Sequence, residues 1–451
     1  MRRSVAPDPS GDRHLNVADL EIAQLGPCTV PSPNPVRDLF VDEDDTVCAY
    51  SDMQVLQQIL AEYLPLPGFE PAGAREQLFF DPKTVRCAIV TCGGLCPGQN
   101  DVIRSIYLTL RYTYGVEHLL GFPYGYAGLA KDSPFEPIPL TKERVNRIHG
   151  EGGTILGSSR GAPTVPEMVD TLQARGIDVL FTIGGDGTLR GAAAITAEVA
   201  RRGAKIAVIG VPKTIDNDLL WVERSFGFAT AVDEARRAIS GAHVEARGAF
   251  NGIGMVKLMG RHSGFIAAHA CLSNSDVNFC LVPEVPFELE GEGGFLTALE
   301  RRLERAQHAV IVVAEGAGQD LLKTDGPVDR DASGNVKLVD IGSFLKTRIA
   351  EHFGARGVPV SLKYIDPSYI VRSLRANALD AELCLMFGQY AVHAAMAGRT
   401  GMSVSYWNQR FTHVPFNVMV GRRKQLDPDG ELWQAVLGAT GQPDLRHRRS
   451  G

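Results

Sequence analysis

Val179-Leu180-Phe181-Thr182-Ile183-Gly184-Gly185-Asp186-Gly187-Thr188 and, one helix-length later, Ile206-Ala207-Val208-Ile209-Gly210-Val211-Pro212-Lys213-Thr214-Ile215-Asp216-Asn217-Asp218 decide the fold of this 451-residue chain. Two apolar runs rich in β-branched residues, separated by an alanine-rich segment, predict successive parallel strands of an α/β sheet. Each run ends in small and acidic residues. An open α/β sheet places its ligands there, outside the carboxyl ends of its strands.

Gly184, Gly185 and Gly187 allow backbone N–H groups to approach an anion closely, because no Cβ intervenes. Asp186 among them suits a magnesium ion that bridges phosphate oxygens. Alone, the same turn is as readily a tight strand-to-helix connection. Asp216 and Asp218 stand two apart, so in an extended segment their carboxylates face the same way. Phosphoryl transfer to an alcohol needs a carboxylate near the attacking hydroxyl and positive charge around the phosphate in flight. Asp216, Asp218 and Lys213 supply both, although Asp-Asn-Asp also reads as a turn cap.

The length predicts more than one lobe. A formal net charge of -6 argues against nucleic acid or an anionic membrane surface as a bulk partner, so an anionic substrate must be met by local Arg and Lys. No uncharged apolar run reaches the roughly 18 residues of a membrane span. The start, Met1 to Pro7, lacks the apolar core of a secretory signal. Eight scattered cysteines make no disulfide framework, and Cys92 and Cys96 read as small buried residues. A reduced, cytoplasmic protein is expected.

Upstream, residues 1 to about 80 mix Pro, Asp and Gly with an amphipathic piece, Met53 to Tyr63, and read as an extension packed on the main body. Val85 to Thr91 predicts a strand, followed by Gly93-Gly94-Leu95-Cys96-Pro97-Gly98-Gln99-Asn100 and a helix start. That arrangement presents backbone N–H groups to phosphate but matches neither a dinucleotide fingerprint nor a P-loop. Arg160, in Leu156-Gly157-Ser158-Ser159-Arg160, is on a small-residue loop where a guanidinium can bridge phosphates or form a surface ion pair.

Read in order, these motifs resemble the 6-phosphofructokinase family. Met259-Gly260-Arg261, Pro283-Glu284, Ala314-Glu315-Gly316 and Lys363-Tyr364-Ile365-Asp366-Pro367-Ser368-Tyr369-Ile370-Val371-Arg372 extend the resemblance, which covers roughly Val85 to Gly421. It implies two Rossmann-like three-layer lobes with parallel sheets and an N-terminal extension. The expected division is 1–83 for the extension, 84–227 with about 373–425 for a nucleotide and magnesium lobe, 228–372 for a sugar-phosphate lobe, and 426–451 for a solvated tail. The segment from about Ala376 to Ala397 carries helical, amphipathic spacing and is expected to return to the nucleotide lobe.

The resemblance also implies residue roles. Asp216 is the base at the sugar's C1 hydroxyl, Lys213, Thr214, Asp218 and Arg261 share the catalytic pocket, and Asp186 organises Mg2+. Gly94, Arg160, Gly185, Gly187 and Thr188 belong with the ATP phosphates. Met259, Gly260, Arg261 and Glu315 contact fructose 6-phosphate, and Lys363, Tyr369 and Arg372 hold its 6-phosphate. In many relatives some of these groups come from a neighbouring subunit, so a homotetramer or homodimer is implied. Short bacterial members carry an arginine seven residues before Met259, where this chain has Gly252. Enzymes using pyrophosphate share Lys213 but have aspartate where Gly187 stands, filling the space of a nucleotide α-phosphate. Glycine leaves it open and implies the long-chain, plant-type ATP-dependent branch. Pyrophosphate dependence is the alternative, and a non-catalytic regulatory subunit the second, disfavoured by Asp186, Asp216, Asp218 and Arg261. Asp329 to Asn335, with Asp340 at the twelfth place, imitates half of an EF-hand loop and reads as a β-turn insertion.

Overall fold

Val179–Gly184 and Ala207–Pro212 form neighbouring parallel strands, paired in register from Val179 with Ala207 to Gly184 with Pro212. Every residue of both is buried, as expected of strands covered on both faces. The computed structural model describes residues 15–35, 40–62, 64–159, 161–322 and 336–446. Contacts divide the chain into two compact units. The first comprises Met1–Ile215, Leu219–Gly227 and Ser373–Arg423, and the second Asp216–Asp218, Phe228–Arg372 and Lys424–Gly451.

Among the described residues the first unit carries a nine-stranded sheet. Its order is Val47–Cys48, Gly68–Pro71, Arg410–Pro415, Met402–Trp407, Ala207–Pro212, Val179–Gly184, Arg86–Thr91, His118–Phe122 and Ile138–Pro139. The five strands from Met402–Trp407 to His118–Phe122 run parallel. The remaining pairings are antiparallel. The Asp186–Arg201 helix leaves the central strand and buries Leu189, Ala192, Ile195 and Val199 at helical spacing against the sheet.

The N-terminal segment does more than pack on this body: two of its short strands extend the sheet beyond Arg410–Pro415. Charge locks the junction. Glu70 accepts from Arg75 (2.8 Å), Arg399 (2.9 Å) and the His413 ring (3.0 Å), and Arg75 also meets Glu43. Burial alone would raise the Glu70 carboxyl, but the His413 ring and the two arginines hold it at about 2.

The second unit carries the parallel order Phe279–Leu281, His308–Ala314, Gly252–Leu258, Ser361–Ile365. In place of a solvated tail after residue 426, helix Glu431–Thr440 packs against Phe265–Leu272 and buries Trp433 and Val436. Gln442 then makes two hydrogen bonds to the backbone of Cys280. The reason is amphipathicity: Trp433, Val436 and Leu437 recur at helical spacing behind Gly430, and burying a Trp stabilises by about 3–5 kcal/mol relative to Ala. Among the described residues no helix is long and apolar enough to cross a membrane.

Candidate active site

In the first unit, three strand ends converge on backbone. Lys213 follows the Ala207–Pro212 strand, is buried, and its Nζ donates to the Gly94 carbonyl at 2.6 Å. Its own N–H bonds the Gly184 carbonyl at 3.0 Å, so both glycine turns are tied to one lysine. Gly93 sits at φ +82°, where a side chain is strained. Ser158 Oγ donates to the Gly93 carbonyl (2.5 Å), and the Gly93 N–H donates to Ser159 O. Arg160, next in sequence, lies outside the described residues. Asn100 closes the arrangement, donating to Glu151 O and accepting from Ile155 N–H.

Asp186 opens its helix directly after Gly185 and is buried. Its carboxylate accepts from the Gly421 N–H (3.1 Å) and pairs with Arg190 (3.1 Å), with Arg423 at 3.9 Å. Sequence reading missed these two arginines. Arg190 carried a signal, one helical turn after Asp186, whereas Arg423 is remote in the chain and carried none. Thr188 faces inward: a Cβ on Gly184 would lie 2.1 Å from its Oγ1, and its carbonyl accepts from the Tyr126 hydroxyl. Around Gly187, by contrast, an added Cβ would meet nothing within 4 Å. Burial holds the nearby Cys92 thiol up at about 12, so it stays protonated.

The second unit builds from side chains. Asp216 is partly buried and Asp218 fully so, with Asn217 between them at φ +53°, a conformation asparagine tolerates. Lys424 N–H bonds the Asp218 carbonyl. At the carboxyl ends of Gly252–Leu258 and His308–Ala314, two motifs interlock by backbone. Gly316 N–H bonds Gly260 O, Glu315 N–H bonds Leu258 O, and a Cβ on Gly316 would strike Arg261 O at 2.1 Å. Met259, Gly260, Arg261 and Glu315 are therefore gathered at one edge. Burial pushes the Glu315 carboxyl upward, opposed by Arg261 and Lys257. Arg261 also donates to Val336 O at 2.8 Å. Glu284 accepts from Gly264 N–H and Leu426 N–H, so it caps a helix start.

Arg372 stacks over the Tyr369 ring at 4.7 Å, and that tyrosine is 75% exposed. Lys363 stands apart. It is exposed and opposite Gly254, in the middle of its strand and away from the carboxyl edge. Gly252 has no room for an arginine, since a Cβ there would sit 2.0 Å from Ala246 O. Lys257, unremarked at the outset, pairs with Asp340 (3.0 Å) and Asp366 (2.9 Å). A lone charge in an otherwise apolar buried strand was its signal. Asp340 caps helix Ile341–Ala355, and Asp329–Asn335 lie outside the described residues. Among the described residues no cluster of three or more His, Cys, Asp or Glu is able to hold a metal ion.

A family profile described as Phosphofructokinase matches residues 86–395. The chain is 52% identical, over 94% of its length and 97% of the relative's, to an ATP-dependent 6-phosphofructokinase of Borreliella burgdorferi. It is 48% identical, over 95% of its length and 96% of the relative's, to an ATP-dependent 6-phosphofructokinase of Amycolatopsis methanolica. In fold it is similar to a crystal structure of a pyrophosphate-dependent phosphofructokinase from Marinobacter aquaeolei. The TM-score is 0.65 at 20% identity, covering 80% of this chain and 92% of that one. At that identity the likeness speaks to fold alone.

Proposed function

Given that the chain belongs to the phosphofructokinase family, we propose that it transfers the γ-phosphoryl group of ATP to the C1 hydroxyl of fructose 6-phosphate, yielding fructose 1,6-bisphosphate and ADP. One observation carries the choice of donor: the space beside Gly187 is empty, so a nucleotide's α-phosphate has room there. The near relatives, named as ATP-dependent, support the same choice.

In this reading the first unit binds the donor. Gly94, Gly185, Gly187 and Thr188 surround the phosphates with backbone N–H groups, Arg160 adds a guanidinium, and Lys213 supplies positive charge to the phosphoryl in flight. A single carboxylate, Asp186, suits Mg2+, which takes one or two protein carboxylates and otherwise phosphate and water oxygens. An ion held by Asp186 would neutralise phosphate charge.

The second unit takes the sugar. Asp216 accepts the C1 hydroxyl proton as general base, with Asp218 two residues on. Met259, Gly260, Arg261 and Glu315 contact the sugar, and Tyr369 and Arg372 hold the 6-phosphate. The exposed position of Lys363 supports a role toward a neighbouring subunit's sugar, in a homodimer or homotetramer. A cytoplasmic location accords with glycolytic substrates. The test is steady-state formation of fructose 1,6-bisphosphate with magnesium, fructose 6-phosphate and either ATP or pyrophosphate. Turnover with ATP alone is expected. Turnover with pyrophosphate alone would reverse the donor assignment, and turnover with neither would leave a binding subunit.

A further inference from the structure

We propose that Lys257 is a positioning residue for the sugar's phosphate, holding through Asp366 the turn that presents Tyr369 and Arg372; this rests on the reading of the second unit as the sugar-binding unit. Lys257 is the penultimate residue of Gly252–Leu258, and its ammonium reaches two carboxylates on different elements. Asp366, just past Ser361–Ile365, offers one oxygen to Lys257 and the other to Ser368, whose N–H and hydroxyl both donate to it (3.1 and 2.5 Å). Ser368 begins the single turn that ends at Arg372, whose guanidinium rests on the Tyr369 ring. A continuous chain of contacts therefore runs from the Gly252–Leu258 strand to the stacked pair.

The second carboxylate secures the other side. Asp340 accepts from Lys257, from Gly342 N–H at the start of helix Ile341–Ala355, and from the Tyr364 hydroxyl at 3.2 Å. One ammonium with three donors thus joins three segments at the carboxyl edge of this sheet. Without it, Asp340 and Asp366 lose the cation they share, and Glu315 is left with Arg261 and Arg372. The arrangement matters because Gly252 cannot carry an arginine. Within one subunit the grip then rests on Tyr369 and Arg372, whose turn has Asp366 at its base.

The test compares Lys257→Met, Lys257→Arg, Ser368→Ala and Arg372→Ala by steady-state kinetics in each substrate and by thermal unfolding. Lys257→Met should raise KM for fructose 6-phosphate by about tenfold, the worth of a lost charge-assisted hydrogen bond, with KM for ATP within about twofold. Lys257→Arg should recover most of that loss, and Ser368→Ala should move the same KM in the same direction. An ion pair with only a structural role would lower the melting temperature and leave the ratio of the two KM values unchanged, and that result overturns the proposal. If Lys257→Met does not fold, Ser368→Ala carries the test alone, and an unchanged KM for fructose 6-phosphate then overturns it. Arg372→Ala separates the premises. An unchanged sugar KM there refutes the reading of the segment itself, while a raised one beside an inert Lys257→Met refutes the role of Lys257 alone.

Discussion

A side chain added at Gly187 in the first unit would meet nothing within 4 Å, whereas one added at Gly252 or Gly316 in the second would strike a backbone carbonyl at 2.0 or 2.1 Å. The difference separates two ways of making a site. The first unit offers backbone groups and space, with one buried lysine tying both glycine turns. The second presents charged side chains, Glu315, Arg261, Lys257, Asp366 and Arg372, whose supporting glycines are locked by close packing. Backbone and space suit a polyphosphate with charge on every side. Fixed side chains suit a sugar whose hydroxyls must be told apart.

The strongest challenge to this contrast is Asp216→Ser. Loss of a general base should lower kcat by about 10²–10⁴-fold, with KM for fructose 6-phosphate little changed, in a steady-state assay with both substrates varied. A turnover within tenfold of the parent would take Asp216 out of that role. Next in size is Gly187→Asp. Placing a carboxylate where we propose the donor's phosphate lies should cost about 2.7 kcal/mol, or about a hundredfold in kcat/KM for ATP. The melting temperature should hold, because the space is empty. A fall in stability without a kinetic effect would remove Gly187 as donor selector.

Gly252→Ala probes the opposite environment. Its Cβ has no room beside Ala246, so unfolding free energy should drop by about 1–3 kcal/mol in urea titration, with both KM values near the parent's. The smallest effect concerns the first unit's edge. Glu70 is held at about 2 in the fold against an ordinary 4.5, so its stabilisation is complete above pH 4.5 and is lost as pH falls toward 2. Glu70→Gln should lower stability at neutral pH by about 1–2 kcal/mol and flatten the acid limb of stability against pH. An acid limb as steep as the parent's would place the acid sensitivity elsewhere.

Local chemistry made much of this protein legible from its sequence. Continuous apolar runs ending in glycine turns identified Val179–Gly184 and Ala207–Pro212 as parallel strands, because β-branched content and Gly punctuation act within a few residues. The same locality pointed to Lys213, Asp216 and Asp218 as a group, since all three lie within six residues. Tertiary structure decided what depends on distant partners. Arg423 reaches Asp186, and the N-terminal strands complete a sheet whose neighbouring edge lies near the other end of the chain. Helix Glu431–Thr440 finds a surface for Trp433 where the sequence alone suggested a solvated tail. The emptiness beside Gly187 and the crowding at Gly252 look alike in sequence, since both are written as glycine. Only the packing of neighbouring atoms distinguishes room for a ligand from room for nothing.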